Sequence, residues 1–352
     1  MLDVAVLAGV SVKTVSNVVN QYVHVSAATR ERVQSALDEL GYRPNLSARS
    51  LRGGRSGLIA LAVPELDVPY FAELARHIVN AAEARGWTVL IDQTDGRPER
   101  EKQVMDGIRA HLIDGVIFSP LASGPGELAA RTDTTPMVLL GERVHHGTMD
   151  HVGIDNVSAA AAAVTHLAGL GRTRIAAIGE QRHRRGETAR LRLQGYAAGL
   201  SSAGLPFDPA LVMPSARYHR ADGAAAMTDL LELAVPPDAV FCFNDMLAIG
   251  ALRTLRDNGI RVPEDVAVVG FDDIEESSYS APSLTTIRPD KEGIASTAIE
   301  LLAARLDGGG DGASREVTER FDLVIRHSTT SFTERQPCPP QPLTSKGTHP
   351  HG

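Results

Sequence analysis

Residues 4–25, VAVLAGVSVKTVSNVVNQYVHV, hold two short apolar-periodic stretches separated by a single glycine. Val4, Ala5, Leu7 and Ala8 recur at the spacing of one helical face, and Val15, Val18 and Val19 do so in the second stretch. Gly9 can take the positive φ that a helix C-terminus favours, Val10 can fill the angle between two helices, and Ser11 is a good N-cap. The outward face of the second helix then carries Val12, Lys13, Ser16, Asn17 and Asn20. These offer a methyl contact, a cation, a hydroxyl and two amides, the groups that read base edges and phosphates. A merely solvated helix would more often show Glu and Lys there. The pattern predicts a helix-turn-helix whose second helix enters the major groove of DNA.

A third helix opens at Ser26–Arg30, with Val33, Ala36, Leu37 and Leu40 on one face and Gly41 closing it. Pro44 is placed to begin a short further helix, Asn45 to Leu51, with Ala48 and Leu51 apolar on one side and Arg49 and Arg52 basic; it is too short to stand alone. Charge divides the chain at the same place. Residues 1–57 hold seven Lys and Arg against four Asp and Glu, whereas the rest holds 28 against 39. A basic head on an acidic body lets only the head approach phosphates.

From residue 58 apolar strand-like runs at 58–64, 88–93, 115–119, 137–141, 174–179, 239–243 and 266–271 alternate with helix-length amphipathic stretches, which is the pattern of parallel α/β sheets. The runs fall into two halves of similar size, roughly 58–156 and 157–284, able to face each other across a cleft. Ligands of open α/β sheets gather at the carboxyl ends of strands, so the polar residues there are the candidates. Asp272 and Asp273 follow VAVVGF and either accept hydrogen bonds from a ligand or cap a helix; Asn244 and Asp245 end AVFCF with the same two readings. Arg192 opens RLQGYAAGL, as a fork of donors or as a surface arginine. Tyr70, Phe71 and Tyr218 offer rings that can stack on a sugar or a base.

No enzyme motif emerges. The glycines at 169 and 171 precede a strand, the wrong side for a dinucleotide loop, and neither GxxxxGK[ST] nor GxSxG occurs. No catalytic residue and no cofactor is expected. His145, His146, Asp150 and His151 share a loop without an i, i+4 helical pair, so no metal is expected. With two cysteines, Cys242 in a strand-like run and Cys338 in a proline-rich tail, a disulfide framework is implausible. No apolar run reaches the roughly 18 residues of a membrane span, and the expectation is a cytoplasmic protein without membrane contact.

DVAVLAGVSVKTVSNVVNQ, HVSAATRERV and LGYRPNLSARSLRGGRSGLIAL resemble the start of a LacI/GalR-family bacterial transcription regulator. The resemblance continues through VPYFAEL (68–74), DGVIFSP (114–120), HVGIDN (151–156), HLAGLGRTRIAAIG (166–179), RLQGYAAGL (192–200), FNDMLAIGAL (243–252) and VPEDVAVVGFDDIEESSYSAPSLTTIRPD (262–290). It implies an α/β protein: an N-terminal all-α helix-turn-helix head (1–43), a hinge helix and linker (44–57), and a periplasmic-binding-protein-like body of two doubly wound parallel-sheet subdomains (58–332). The first subdomain is expected at 58–156 plus 290–315 and the second at 157–284 plus 316–332, with LTTIRP (284–289) carrying the chain back. The hinge is expected to fold on DNA, with Leu51 wedged into a central minor-groove step.

The DNA-binding set so implied is Ser11, Val12, Lys13, Thr14, Ser16, Asn17, Asn20, His24, Thr29, Asn45, Ala48 and Leu51. The effector set is Tyr70, Phe71, Thr188, Arg192, Tyr218, Asn244 and Asp272, with Glu142 after MVLLG a weaker member. The implied partners are pseudopalindromic double-stranded operator DNA, a second copy of the chain and a small molecule, a sugar in the first instance. The expected logic is repression released by the sugar. A purine- or nucleoside-responsive corepressor is the alternative. A plain solute-binding protein is the more distant one, since it would carry a signal peptide and no recognition helix.

Three departures from the family stand out. The first helix begins almost at Met1 without the capping Thr usual in relatives, a loss of about 1 kcal/mol that suggests a start codon assigned a few residues late. The tail, 333–352, has five prolines and no leucine heptads, so disorder rather than a tetramerising helix is expected. Asn17 stands where many relatives have arginine, and an amide favours adenine where a guanidinium favours guanine. Selection of operator sites from a random library should therefore return adenine opposite Asn17; an enriched guanine there would contradict the assignment.

Overall fold

The structure is a computed structural model and describes residues 1–19, 22, 24–41, 55–107, 112–141, 149–181, 186–308 and 313–330. Asn20, Asn45, Ala48, Leu51 and Glu142, most of the hinge, His145, His146 and the tail lie outside these residues.

Three helices form the head: α1 (Leu2–Ala8), α2 (Val12–Val19) and α3 (Ala27–Glu39). Gly9 adopts the left-handed conformation, φ 64°, and lets the chain turn sharply between α1 and α2. The Ser11 hydroxyl accepts from Thr14 N at 3.1 Å and so caps α2, while Ser26 accepts from Thr29 N at the start of α3. Val4, Ala5, Ala8, Val15, Val18, Val33, Ala36 and Leu37 make the small core. Two residues expected inside are not: Leu7 and Leu40 are each 46% exposed. Among the described residues of the head no further helix covers the rim of the bundle, and Leu40 falls at the end of α3. No side chain caps α1; the Met1 carbonyl simply accepts from Ala5 N.

The body contains two six-stranded sheets. Strands β1 (Leu58–Val63), β2 (Thr88–Gln93), β3 (Gly115–Phe118), β4 (Met137–Leu140) and β5 (Asp150–Ile154) are followed in the chain by β6 (Ile175–Glu180), β7 (Val212–Pro214), β8 (Ala239–Cys242), β9 (Ala267–Phe271), β10 (Thr285–Pro289), β11 (Glu316–Glu319) and β12 (Phe321–Val324). The first sheet has the order β11-β5-β4-β3-β1-β2 and is parallel throughout; the second has the order β12-β10-β9-β8-β6-β7, with only β12 antiparallel. Strands β3, β4, β5, β8 and β9 are buried along their whole length, as expected when helices cover both faces. Edge strands β2 and β11 alternate or expose their residues, and β7, β10, β11 and β12 are too short or too polar to stand out as runs in the sequence.

The chain passes between the halves near Asp155, Asp290 and Arg320. The second crossing agrees with the sequence expectation for LTTIRP, but the boundary expected at 315/316 is displaced. Residues 316–319 pair with β5 in the first sheet, and only after Arg320 does the chain enter the second. Charge explains why this was hidden: EVTE is acidic and poor in apolar residues, so nothing marks it as sheet. The last two crossings are tied together, with Arg320 Nε 2.8 Å from Asp290 Oδ2.

Helices pack on each other closely where glycine permits. In the second half the Arg220–Leu231 and Asp245–Asp257 helices cross at Gly223 and Gly250, where an added Cβ would lie 2.1 Å from Leu247 O and 1.9 Å from Arg220 O. Both obstacles are backbone and cannot rotate away. Gly250→Ala should therefore lower the urea-unfolding free energy by at least about 2 kcal/mol through overpacking; an unchanged midpoint would mean the helices can separate without cost.

Candidate functional site

In the head, α2 presents exposed Lys13 with half-buried Thr14, Ser16 and Asn17. Thr14 Oγ1 is 2.9 Å from the capping Ser11 hydroxyl, so these two polar groups already form one unit at the N-terminus of the helix. Val12, expected to face outward, is instead half-buried against the head core. His24 is exposed and its ring meets Tyr22 edge-on at 5.4 Å, while Arg30 Nη2 donates to Tyr22 O at 3.1 Å and fixes the α2–α3 loop. Thr29 is engaged through Ser26 in the first turn of α3. Backbone N–H groups at two helix N-termini, one cation and several hydroxyls suit phosphate and base-edge contacts.

In the body, a cavity of about 770 Å³ opens between the two halves and is lined from both. Because parallel strands end at one edge of each sheet, the polar residues following β1, β6, β8 and β9 converge there. Tyr70, Phe71, Thr188, Arg192, Tyr218, Asn244 and Asp272 all line it. The Tyr70 and Phe71 rings meet edge-to-face at 5.3 Å on the first half. Tyr218 faces from the second half, locked by its own Oη donating to Gly179 O and by Asn244 Nδ2 donating to its carbonyl, both at 3.0 Å.

Asn244 caps a helix, its Oδ1 accepting from Leu247 N at 2.9 Å, and also lines the cavity. Arg192 is no surface arginine: it is 7% exposed. Its Nε donates to Asn156 Oδ1 at 2.8 Å, an Nη donates to Phe243 O, and the guanidinium carbon lies 3.5 Å from the centroid of Phe271. This leaves Nη2 facing Asp272 Oδ1 at 3.9 Å, so a cation and an anion stand side by side in the wall. Asp272 is not at the N-cap position of the helix that follows, which Ile274 holds. It and Asp273 take φ of 116° and 47°, backbone conformations that cost non-glycine residues about 1–3 kcal/mol each and persist only where neighbours hold them.

Asp245 is one of those neighbours. It points away from the cavity and is fully buried, accepting from Ile274 N at 3.0 Å, Ser277 Oγ at 2.7 Å and Thr286 Oγ1 at 2.6 Å. Burial pushes its carboxyl up to about 7, against the three hydrogen bonds that favour the ion. Thr286 Oγ1 also lies 3.3 Å from Ile287 O, so it can turn its proton there and accept one from a neutral Asp245.

Four polar residues that sequence reasoning passed over meet between the halves. His219 Nε2 is 2.9 Å from Glu65 Oε2, and Lys291 pairs with Glu73 while bonding the carbonyls of Asp272 and Asp273. Glu65 precedes VPYFAEL and Glu73 lies in it, but nothing in the sequence tells which of these charges face the other half. Among the described residues no group of three or more His, Cys, Asp or Glu is arranged to hold a metal, and no single helix is long and apolar enough to cross a membrane.

Residues 1–45 match the model of the lacI family of bacterial regulatory proteins, and residues 164–329 match a periplasmic binding protein-like domain. The HTH-type transcriptional regulator DegA of Bacillus subtilis is 34% identical over 333 residues, covering 93% of this chain and 97% of its own. A solved transcriptional regulator CelR–cellobiose complex is 32% identical with a TM-score of 0.71, covering 93% of this chain and 98% of that one. The lac repressor dimer bound to operator is 29% identical with a TM-score of 0.80 and the same coverage.

A carboxyl raised in the folded state stabilises it fully below the ordinary value of 3.8, and that contribution drains as pH rises through about 7. Between these pH values the unfolding free energy of the wild type should fall relative to Asp245→Asn; parallel curves would show that Asp245 is ionised throughout.

Proposed function

Because the chain belongs to the LacI family of bacterial regulatory proteins, a family of transcriptional regulators and not of enzymes, we propose that it is a cytoplasmic repressor whose hold on operator DNA is released by a sugar bound in the cleft between the body halves. The observation that carries this reading is the meeting, in one cavity, of three aromatic rings with the Arg192–Asp272 pair and Asn244. Rings pack against the C–H faces of a pyranose, and a carboxylate beside a guanidinium serves vicinal hydroxyls, one accepting and the other donating. The size of the cavity suits a sugar of more than one ring, and a related regulator has been solved with cellobiose.

On the DNA side, a homodimer sets one α2 in each half-site of a pseudopalindrome, as two-fold symmetry requires. Ser11, Lys13, Thr14, Ser16 and Asn17 read or anchor there, with His24 and Thr29 on the flanking backbone; Asn20, Asn45, Ala48 and Leu51 complete the set. Support comes from the lac repressor dimer solved on operator, which this chain resembles along 93% of its length. Effector and DNA must alter each other's affinity by the same factor.

A thermal-shift panel of mono- and disaccharides, sugar phosphates, nucleosides and purines on the full-length protein tests the ligand class. A sugar at a hundred times its Kd should add about 2.7 kcal/mol of stability. Asp272→Asn, which tolerates the left-handed backbone, should weaken that sugar by tenfold or more, the loss of a charged hydrogen bond of about 1.5–3 kcal/mol, while leaving operator affinity unchanged. Stabilisation by a purine and none by sugars would replace this reading with corepression.

A further inference from the structure

We propose that Lys291 is the latch that converts closure of the cleft into fixation of the chain where it enters the body from the linker. The inference rests on the cleft being the effector site and concerns how its state reaches the DNA-binding side.

The 16-residue helix Lys291–Leu306 belongs to the first half, packing on the Pro69–Glu83 helix and on β3, β4, β5 and β11. At its cleft end Lys291, 9% exposed, reaches across to the second half. Its Nζ donates to Asp272 O at 2.9 Å and Asp273 O at 3.0 Å. The positive φ of both aspartates is what brings two successive carbonyls to one ammonium. Glu73 completes the grip: one carboxylate oxygen pairs with Lys291 and the other accepts from Glu275 N at 3.0 Å. Two first-half side chains thus hold the 272–275 backbone of the second half, the same turn that carries the cavity-lining Asp272 carboxylate. An ammonium so deeply buried is tolerable only while these acceptors surround it. Separation of the halves removes the two carbonyls and the Glu275 amide together.

The far end of the helix lies about 24 Å away at 1.5 Å per residue. There Arg305 donates to both Asp150 oxygens, at 2.9 and 2.7 Å, and Arg55 pairs with Asp307 at 2.8 Å while also bonding Leu306 O. Asp114 then takes the amides of Ser56 and Gly57, each at 2.7 Å. The next residue, Gly115, lies under the helix, where an added Cβ would sit 2.7 Å from Leu302. Lacking a side chain, Gly115 lets the helix lie close on β3, directly beside the Asp114 anchor of residues 56 and 57. Both ends of one stiff element are fastened, one to the ligand turn and one to the linker exit.

Hydrogen exchange read by mass spectrometry on the full-length, ligand-free protein tests this without knowing the effector. In Lys291→Met, peptides covering 272–276 and 55–58 should both exchange about tenfold faster, because opening at one end frees the other. The double variant Lys291→Met/Glu73→Gln should behave the same, since its effect does not come from a stranded Glu73 carboxylate. If Lys291→Met fails to fold, Glu73→Gln serves instead, with the same pair of peptides accelerated to a smaller degree. Acceleration confined to 272–276, no acceleration at all, or wild-type exchange restored in the double variant would each overturn the latch. The sugar reading fails separately: coupled exchange in a protein that no sugar stabilises would sink the effector class and leave the latch standing.

Discussion

Parallel pairing is the constraint on which the body depends. When strands run the same way their carboxyl ends share one edge, and two such sheets joined by crossings near Asp155, Asp290 and Arg320 can set those edges face to face. Every polar group of the cleft then arrives from a strand end or from the helix that follows it. Asn244 leaves β8, Asp272 leaves β9, Tyr70 follows β1, and Arg192 comes from the helix after β6. The cavity is a consequence of the topology before any of its side chains is chosen.

What the side chains add is a set of charges that are already half satisfied. Arg192 is held by Asn156, Phe243 O and the Phe271 ring before it faces Asp272. Asp245 braces the turn beneath, and Lys291 holds its carbonyls from the opposite half. A buried ion with incomplete partners costs far more than one fully paired. Donors and acceptors held in this way line the cavity with little freedom to rearrange. The same economy holds far from the cleft, where Asp150, buried between Arg305 and Arg315, has its carboxyl drawn down to about 2 by those hydrogen bonds.

Local signals were the legible ones. Gly9 and Ser11 act within four residues of themselves, so the turn and the cap of the second helix could be read directly. The long apolar runs that became β1, β3, β4, β6, β8 and β9 were equally plain, because central strands of a parallel sheet are buried on both faces. Strand β11 was not, since EVTE takes its place by pairing with β5, with Glu316 opposite His151, rather than by composition. Leu7 and Leu40 misled for the opposite reason: they fit the helical period, but the small core between α1, α2 and α3 has too little volume to bury every residue that does.

The amino-acid sequence by itself determined the order of the parts, a basic helical head before an acidic α/β body, and the candidate residues at the strand ends, because periodicity, caps and charge are local properties of a chain. Only the tertiary structure decided which of those residues meet. Arg192 and Asp272 are eighty residues apart, and Lys291 looked like any cation in the first turn of a helix until the fold set it against two carbonyls of the other half. Such pairings depend on how two sheets are juxtaposed, and that juxtaposition is a sum over the whole core rather than a property of any segment.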